Sequence, residues 1–180
     1  MTRGAIRLFS PIAVTTFYAR TRSCMTEHVF RIGVISDTHG LLRDQAVRAL
    51  QDSDLIIHAG DMGSPEIVPR LRRIAPVVAV RGNIDREPWA IAYREREVIS
   101  QPIEISVLHN LHELDLAPRQ AGFAAVISGH THQPKSYTKD GVLYFNPGSA
   151  GPRRFRLPVS VGKITIKGRE LLPELISLNI

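Results

Sequence analysis

The sequence predicts an α/β (α+β) fold in which two mixed β-sheets pack together and carry helices on their outer faces. Three observations predict it. Over the first half, short β-branched apolar runs alternate with stretches of helical spacing, the pattern of parallel βαβ units. Over the second half, strands return through tight turns such as Asp140-Gly141, the pattern of antiparallel hairpins. Between them, the strand ends repeatedly finish in metal-ligand residue types, and parallel sheets gather such residues at the carboxyl edge of their strands. A chain of 180 residues suits one domain with a full core, and 43% hydrophobic against 22% charged residues is a globular composition.

Residues 1–28 have neither a helical nor a strand period and carry no acid before Glu27. Transit peptides share this composition. The run 12–19 is broken by two threonines, a poor signal-peptide core, which favours an upstream start with Met25 opening the domain proper. The expectation is an N-terminal extension over 1–28, loosely held and dispensable for chemistry, and a single domain over 29–180. Of the formal charge of +6, +4 sits on Arg3, Arg7, Arg20 and Arg22. The basic balance is therefore weak support for nucleic-acid binding. No apolar run approaches the ~20 residues of a membrane span. The one cysteine, Cys24, excludes an internal disulfide and fits a reducing compartment, so the cytoplasm is the expected location.

The elements follow in order. Residues 30–36 form the first strand, ending in Asp37-Thr38-His39-Gly40. Leu42, Ala46, Ala49 and Leu50 predict a helix within 41–53. Residues 55–58 are a buried strand ending in Ala59-Gly60-Asp61, 68–74 a second helix, and 76–80 a strand ending in Arg81-Gly82-Asn83. Residues 97–108 read as two strands meeting near Gln101-Pro102, the second ending in His109-Asn110. The polar stretch 113–120 is helix or loop. Strand 124–128 runs into Gly129-His130-Thr131-His132, where a tight loop can turn both imidazoles inward. A hairpin over 136–145 leads to the tight loop Asn146-Pro147-Gly148-Ser149, and 158–180 holds closing strands about a Lys167-Gly168 turn.

Steps from Asp37 to Asp61, Asn83, His109 and His130 span 24, 22, 26 and 21 residues. Each is about one strand-connection-strand unit. That regularity predicts that Asp37, His39, Asp61, Asn83, His109, His130 and His132 meet at one sheet edge. Singly, each has a plain structural explanation, since Gly-Asp and Gly-Asn are common turn pairs. Recurrence at five successive strand ends argues for a shared site. His28, His58 and His112 lie off the pattern; His109 is preferred to His112 because it directly continues an apolar strand. Four imidazoles, two carboxylates and one amide suit Mn, Fe, Zn, Co or Ni better than Mg or Ca. Asp61, central in order, is the candidate bridge. Two such ions ~3.5–4 Å apart clamp an in-line displacement at phosphorus and lower the pKa of a shared water.

These motifs, Asp37-x-His39, Gly60-Asp61, Gly82-Asn83, His109 and Gly129-His130-Thr131-His132 followed by Asn146-Pro147-Gly148-Ser149, resemble the calcineurin-like metallophosphoesterases. They are similar to the small single-domain phosphodiesterase branch of that family (the MJ0936 and YfcE type), related to the retromer subunit Vps29. It covers about residue 29 to the C-terminal strands. The resemblance implies a four-layer αββα sandwich, the metallo-dependent phosphatase-like fold, with a dinuclear site. One metal would take Asp37, His39, Asp61 and His132, and the other Asp61, Asn83, His109 and His130. Mn2+ is the expected cofactor, with Ni2+, Fe2+, Co2+ or Zn2+ as alternatives. Asp61, Asn83 and His109 would be the catalytic set. The implied activity is a phosphodiesterase in which a hydroxide bridging two divalent metals attacks a small phosphate ester. The alternative is a catalytically weak Vps29-like protein-binding scaffold. Small relatives often assemble as homodimers or larger.

Two departures stand out. Ile84 occupies the place where many relatives carry a histidine after Gly-Asn, although Asp85 follows; Asn110 replaces a common glycine. Losing acid assistance at the leaving group typically costs ~10²–10⁴ in rate, so good leaving groups are expected to be favoured. Arg153 and Arg154, with Arg156 beyond them, are the candidate phosphate-binding cations; Arg81 serves the substrate or faces water.

Overall fold

The structure, a computed structural model, describes residues 29–100, 102–154 and 156–180. The expected N-terminal extension over 1–28 lies outside the described residues. Two five-stranded mixed sheets form the framework. In the first, β1 (Val29–Ile35), β2 (Leu55–Ala59) and β3 (Val77–Val80) run parallel. The closing strands β9 (Ser160–Lys167) and β10 (Glu170–Ser177) add antiparallel beyond β1. In the second sheet, β5 (Ile105–Leu108), β6 (Ala125–Ile127) and β8 (Val142–Asn146) run parallel. β4 (Arg96–Ile99) and β7 (Lys135–Lys139) flank them antiparallel.

Side-chain alternation explains why two sheets stack. On β1, Ile32 and Val34 point into the space between the sheets, while Ile35 points to the helix side. On β2, Ile57 and Ala59 face the other sheet and Ile56 the helices. From the second sheet, Ile105, Val107, Ile127, Leu143 and Phe145 complete the inter-sheet core. Phe145 fits because Gly162 of β9 leaves room for its ring; a Cβ there would collide with Cε1 and Cζ.

The helices α1 (Asp44–Ala49) and α2 (Ile67–Leu71) cover the outer face of the first sheet through Ala46, Leu50, Ile67, Val68 and Leu71. α1 is shorter than the spacing predicts. The segment before it gives its backbone hydrogen bonds to the neighbouring strand-end loop, His39 N–H to Asp61 O at 3.0 Å and Gly40 N–H to Met62 O at 2.7 Å. Leu41 N–H then bonds to Thr38 O at 2.8 Å, and past the helix Gln51 N–H bonds to Arg48 O and Ser53 N–H to Leu50 O, so both ends of the expected stretch close in tight turns. Leu42 is buried regardless. On the outer face of the second sheet, a single 3-10 turn, Leu111–Glu113, supplies Leu111 against Leu108, Val126 and Val142. Among the described residues, no helix is long and apolar enough to cross a membrane.

Candidate metal centre

The two parallel triplets point their carboxyl ends to the same edge. Loops 36–40, 60–63 and 81–85 leave the first sheet there; loops 109–113, 128–133 and 146–151 leave the second. Hydrogen bonds stitch them together. Asp37 N–H donates to Gly60 O at 3.0 Å, Gly129 N–H to His109 O at 2.9 Å, and Ala150 N–H to Ser36 O at 3.0 Å.

All seven predicted side chains lie in one connected cluster. His132 Nε2 is 3.2 Å from Asp37 Oδ1 and 3.3 Å from His39 Nε2, the two rings stacked. His39 Nε2 is 3.9 Å from Asp61 Oδ2. Asp61 Oδ1 is 3.3 Å from His109 Nε2, which lies 3.2 Å from Asn83 Oδ1. His130 Nδ1 approaches the same Asn83 oxygen at 3.0 Å. Asp61 thus stands between an Asp37-His39-His132 half and an Asn83-His109-His130 half. Of the arginines, Arg154 reaches the cluster, its Nη2 3.4 Å from His39 Nε2. Arg153 is exposed and makes no side-chain hydrogen bond among the described residues.

The donor set fits divalent cations. Asp37 Oδ1 is buried without a hydrogen-bond partner. The other oxygen, Oδ2, accepts from the Ser36 hydroxyl at 2.6 Å and from His130 N–H at 3.1 Å. The carboxylate is thereby aimed, with one oxygen reserved. His109 is aimed the same way. Its Nδ1–H donates to Ala59 O at 2.7 Å, so Nε2, which faces Asp61 Oδ1 and carries a proton when it bonds that carboxylate, is the nitrogen that would be left to a metal ion. Electrostatics agree. Burial pushes the Asp37 carboxyl up to about 6. Burial, with Arg154 nearby, lowers His132 to about 4, and burial also lowers His39. Burial opposes charge on Asp61 and His109 too, but their mutual hydrogen bond outweighs it, holding Asp61 below and His109 above their ordinary values. A cation at the cluster would take the place of the proton between His109 and Asp61 and relieve the cost of burying the Asp37 carboxylate.

The backbone carries a mark of its own. Asp37, His39, Asp61, His130 and His132 have φ of 53°, 46°, 54°, 70° and 58°, in the left-handed region. Non-glycine residues there cost about 1–3 kcal/mol each and persist where surrounding contacts over-determine them, characteristically at functional sites.

Residues 30–169 match the model of the calcineurin-like phosphoesterase superfamily domain. A protein of Methanothermobacter thermautotrophicus named "Probable metallophosphoesterase" is 34% identical over 157 residues, 81% of this chain and 91% of that one. The chain belongs to the calcineurin-like phosphoesterase superfamily. The phosphodiesterase MJ0936 of Methanocaldococcus jannaschii is 29% identical over 137 residues, 66% of this chain and 82% of that one. Vacuolar Protein Sorting 29 from Cryptosporidium parvum superposes with a TM-score of 0.72 at 20% identity, over 84% of this chain and 92% of that one, a likeness of fold.

Three residues of this phosphoesterase have roles that sequence reading does not supply. Asp85 is buried and accepts backbone N–H bonds from Met62, Gly63 and Gly82 at 3.1, 2.9 and 2.8 Å. It clamps two strand-end loops and is not a spare proton donor beside Ile84. Asn146 donates to Gly129 O at 2.7 Å and Thr131 Oγ1 at 3.1 Å, bracing the histidine loop from below. His58, set aside in the sequence, is fully buried. Gly60 N–H donates to its Nδ1 at 3.2 Å, so Nε2 carries the proton and donates to Thr38 Oγ1 at 3.0 Å, and the Thr38 hydroxyl donates to Met62 O at 3.0 Å. This relay ties the Asp37 loop to the Asp61 loop. Only the buried position on β2 hinted at it.

Burial lowers His58 to about 3, against an ordinary value near 6.5. The unfolded chain therefore binds a proton that the fold refuses. The stabilisation is fully present above pH 6.5 and drains as pH falls toward 3. Between pH 7 and 5 the loss is about 2 kcal/mol by linkage. Denaturant unfolding with EDTA present is expected to show wild type losing that much more stability over this interval than His58→Gln. Equal losses would mean that His58 is protonated in the fold.

Proposed function

We propose that this chain is a metal-dependent phosphodiesterase holding two divalent cations, manganese foremost, with Asp61 between them. The observation that carries the reading is the single connected cluster of seven side chains, in which Asp61 faces His39 through Oδ2 and His109 through Oδ1, Asp37 lies close to Asp61 and His109 as well as to His39 and His132, and Asp37 Oδ1 is buried without a hydrogen-bond partner. Asp37, His39, Asp61 and His132 would hold one ion; Asp61, Asn83, His109 and His130 would hold the other. The ions would supply a hydroxide near neutral pH and neutralise charge on the phosphoryl group.

The chain's own residues do the rest. Ser36 and the His130 N–H orient Asp37, and the Ala59 carbonyl orients His109. Arg154, already beside His39, offers its guanidinium to a phosphoryl oxygen, with the exposed Arg153 as a second cation. Ile84, next to Asn83, supplies no proton, and Asp85 is occupied by three backbone donors. Esters with good leaving groups should therefore be the better substrates. A single cysteine suits a reducing cytoplasm.

The test is hydrolysis of bis-p-nitrophenyl phosphate and p-nitrophenyl phosphate side by side, with Mn2+ and with EDTA. Manganese-dependent turnover favouring the diester is expected. No turnover of either ester by protein that holds metal would favour the Vps29-like scaffold, a reading suggested by the likeness of fold.

A further inference from the structure

A cavity of about 140 Å3 opens beside Asn83, His109 and His130, on the side of the cluster away from Arg154 and His39. Its rim carries two carboxylates, Glu95 and Glu113. The first is neutralised: Arg81 Nη2 donates to Glu95 Oε1 at 2.7 Å. The second is positioned rather than neutralised. Asn110 accepts His112 N–H at 3.1 Å, capping the 3-10 turn, and its amide donates to Glu113 Oε1 at 3.2 Å. Among the described residues Glu113 forms no ion pair, so its negative charge is offered to whatever enters.

We propose that this cavity binds one alcohol portion of a phosphodiester, and that this alcohol is small and carries a protonated amine. The inference rests on the phosphodiesterase reading and names its substrate class. Size argues against a nucleoside: drug-sized ligands need cavities of about 300 Å3 or more. Chemistry argues the same way, because no side chain lining the cavity offers an aromatic stacking face beyond the two histidines of the cluster. Charge selects further. Glu113 attracts an ammonium and repels an alcohol bearing a carboxylate or a second phosphate. Asn110 is then a positioning residue acting through Glu113.

The test compares three chromogenic diesters with p-nitrophenol as the common leaving group, using Mn2+-loaded full-length protein. The second alcohol is 2-aminoethyl, 2-methoxyethyl or the thymidine 5′-position. The aminoethyl ester should exceed the neutral methoxyethyl ester about fivefold in kcat/KM, the scale of one solvent-exposed ion pair, and the advantage should shrink as salt rises. Glu113→Gln should bring the two small esters level. Asn110→Gly should lower the ratio in the same direction, because the carboxylate loses its tether. A thymidine ester that is turned over best, or an aminoethyl preference that survives in Glu113→Gln, would overturn the proposal. Turnover of bis-p-nitrophenyl phosphate with no aminoethyl preference overturns this inference alone. Absence of turnover of every diester overturns it together with the reading beneath it.

Discussion

Asp61→Ala is expected to strip the protein of bound metal and of esterase activity together, roughly a thousandfold or more in kcat/KM. The reason is position as much as charge. Asp61 Oδ1 accepts from Ile84 N–H at 3.1 Å and faces His109 Nε2 at 3.3 Å, while Oδ2 faces His39 Nε2 at 3.9 Å. Alanine removes the shared donor, leaving His39, His132 and Asp37 on one side and Asn83, His109 and His130 on the other. Metal content after dialysis, measured beside bis-p-nitrophenyl phosphate hydrolysis, checks this. Asp61→Asn keeps the side-chain volume and should also lower the metal content, with a melting curve showing that the fold survives. Full activity in either variant would remove Asp61 from the centre.

The second large effect falls on stability. Gly129→Ala is expected to cost about 3 kcal/mol or more, because a Cβ at this position overlaps Ser36 Oγ and lies 2.7 Å from Asp37 Oδ2 and 2.9 Å from Ala59 O. Those atoms cannot yield. Ser36 is fully buried and its hydroxyl is committed to Asp37 at 2.6 Å. Gly168→Ala is the control. Its φ of +59° carries a left-handed penalty of about 1–2 kcal/mol, yet no atom lies within 4 Å of the added carbon. Urea unfolding of both variants separates crowding from conformational strain. A loss at Gly129 no larger than that at Gly168 would show that Ser36 and Asp37 move aside for the added carbon.

The same crowding recurs at the other glycines that precede cluster residues. A Cβ on Gly60 would meet the His109 ring at 2.6 Å, and one on Gly82 would overlap Asp61 Oδ1. Gly-Asp, Gly-Asn and Gly-His pairs read in the sequence as ordinary turns with a polar residue attached. In the fold, each glycine makes room for a residue that arrives from a different strand: Gly129 for Asp37, Gly82 for Asp61, Gly60 for His109. Local chemistry could identify the turns but could not say which partner demanded the missing side chain.

Other features divide along the same line. Strand positions were legible because period-2 burial is written into Ile32, Val34, Ile57, Val107 and Ile127. α1 came out shorter because the chain closes in tight turns on either side of it, Leu41 N–H to Thr38 O before and Ser53 N–H to Leu50 O after, which the spacing of apolar residues does not reveal. Asp85 and His58 carried no motif. Their value lies in three backbone donors and one threonine hydroxyl that only the folded loops bring within reach.

By itself the sequence determined the residue types, their order, and their regular spacing at strand ends. Those three facts suffice to gather Asp37, His39, Asp61 and Asn83 at the carboxyl edge of one sheet and His109, His130 and His132 at that of the other, because parallel strands of a sheet end on the same side; that the two edges meet is a matter of how the sheets pack. Only the tertiary structure decided the orientation of those donors. It reserved one oxygen of Asp37, tied Nδ1 of His109 to the Ala59 carbonyl, and held five of the seven residues at left-handed φ. Orientation depends on contacts between loops that are distant in the chain. The conformational strain is local, but the packing and hydrogen bonds that hold it are not.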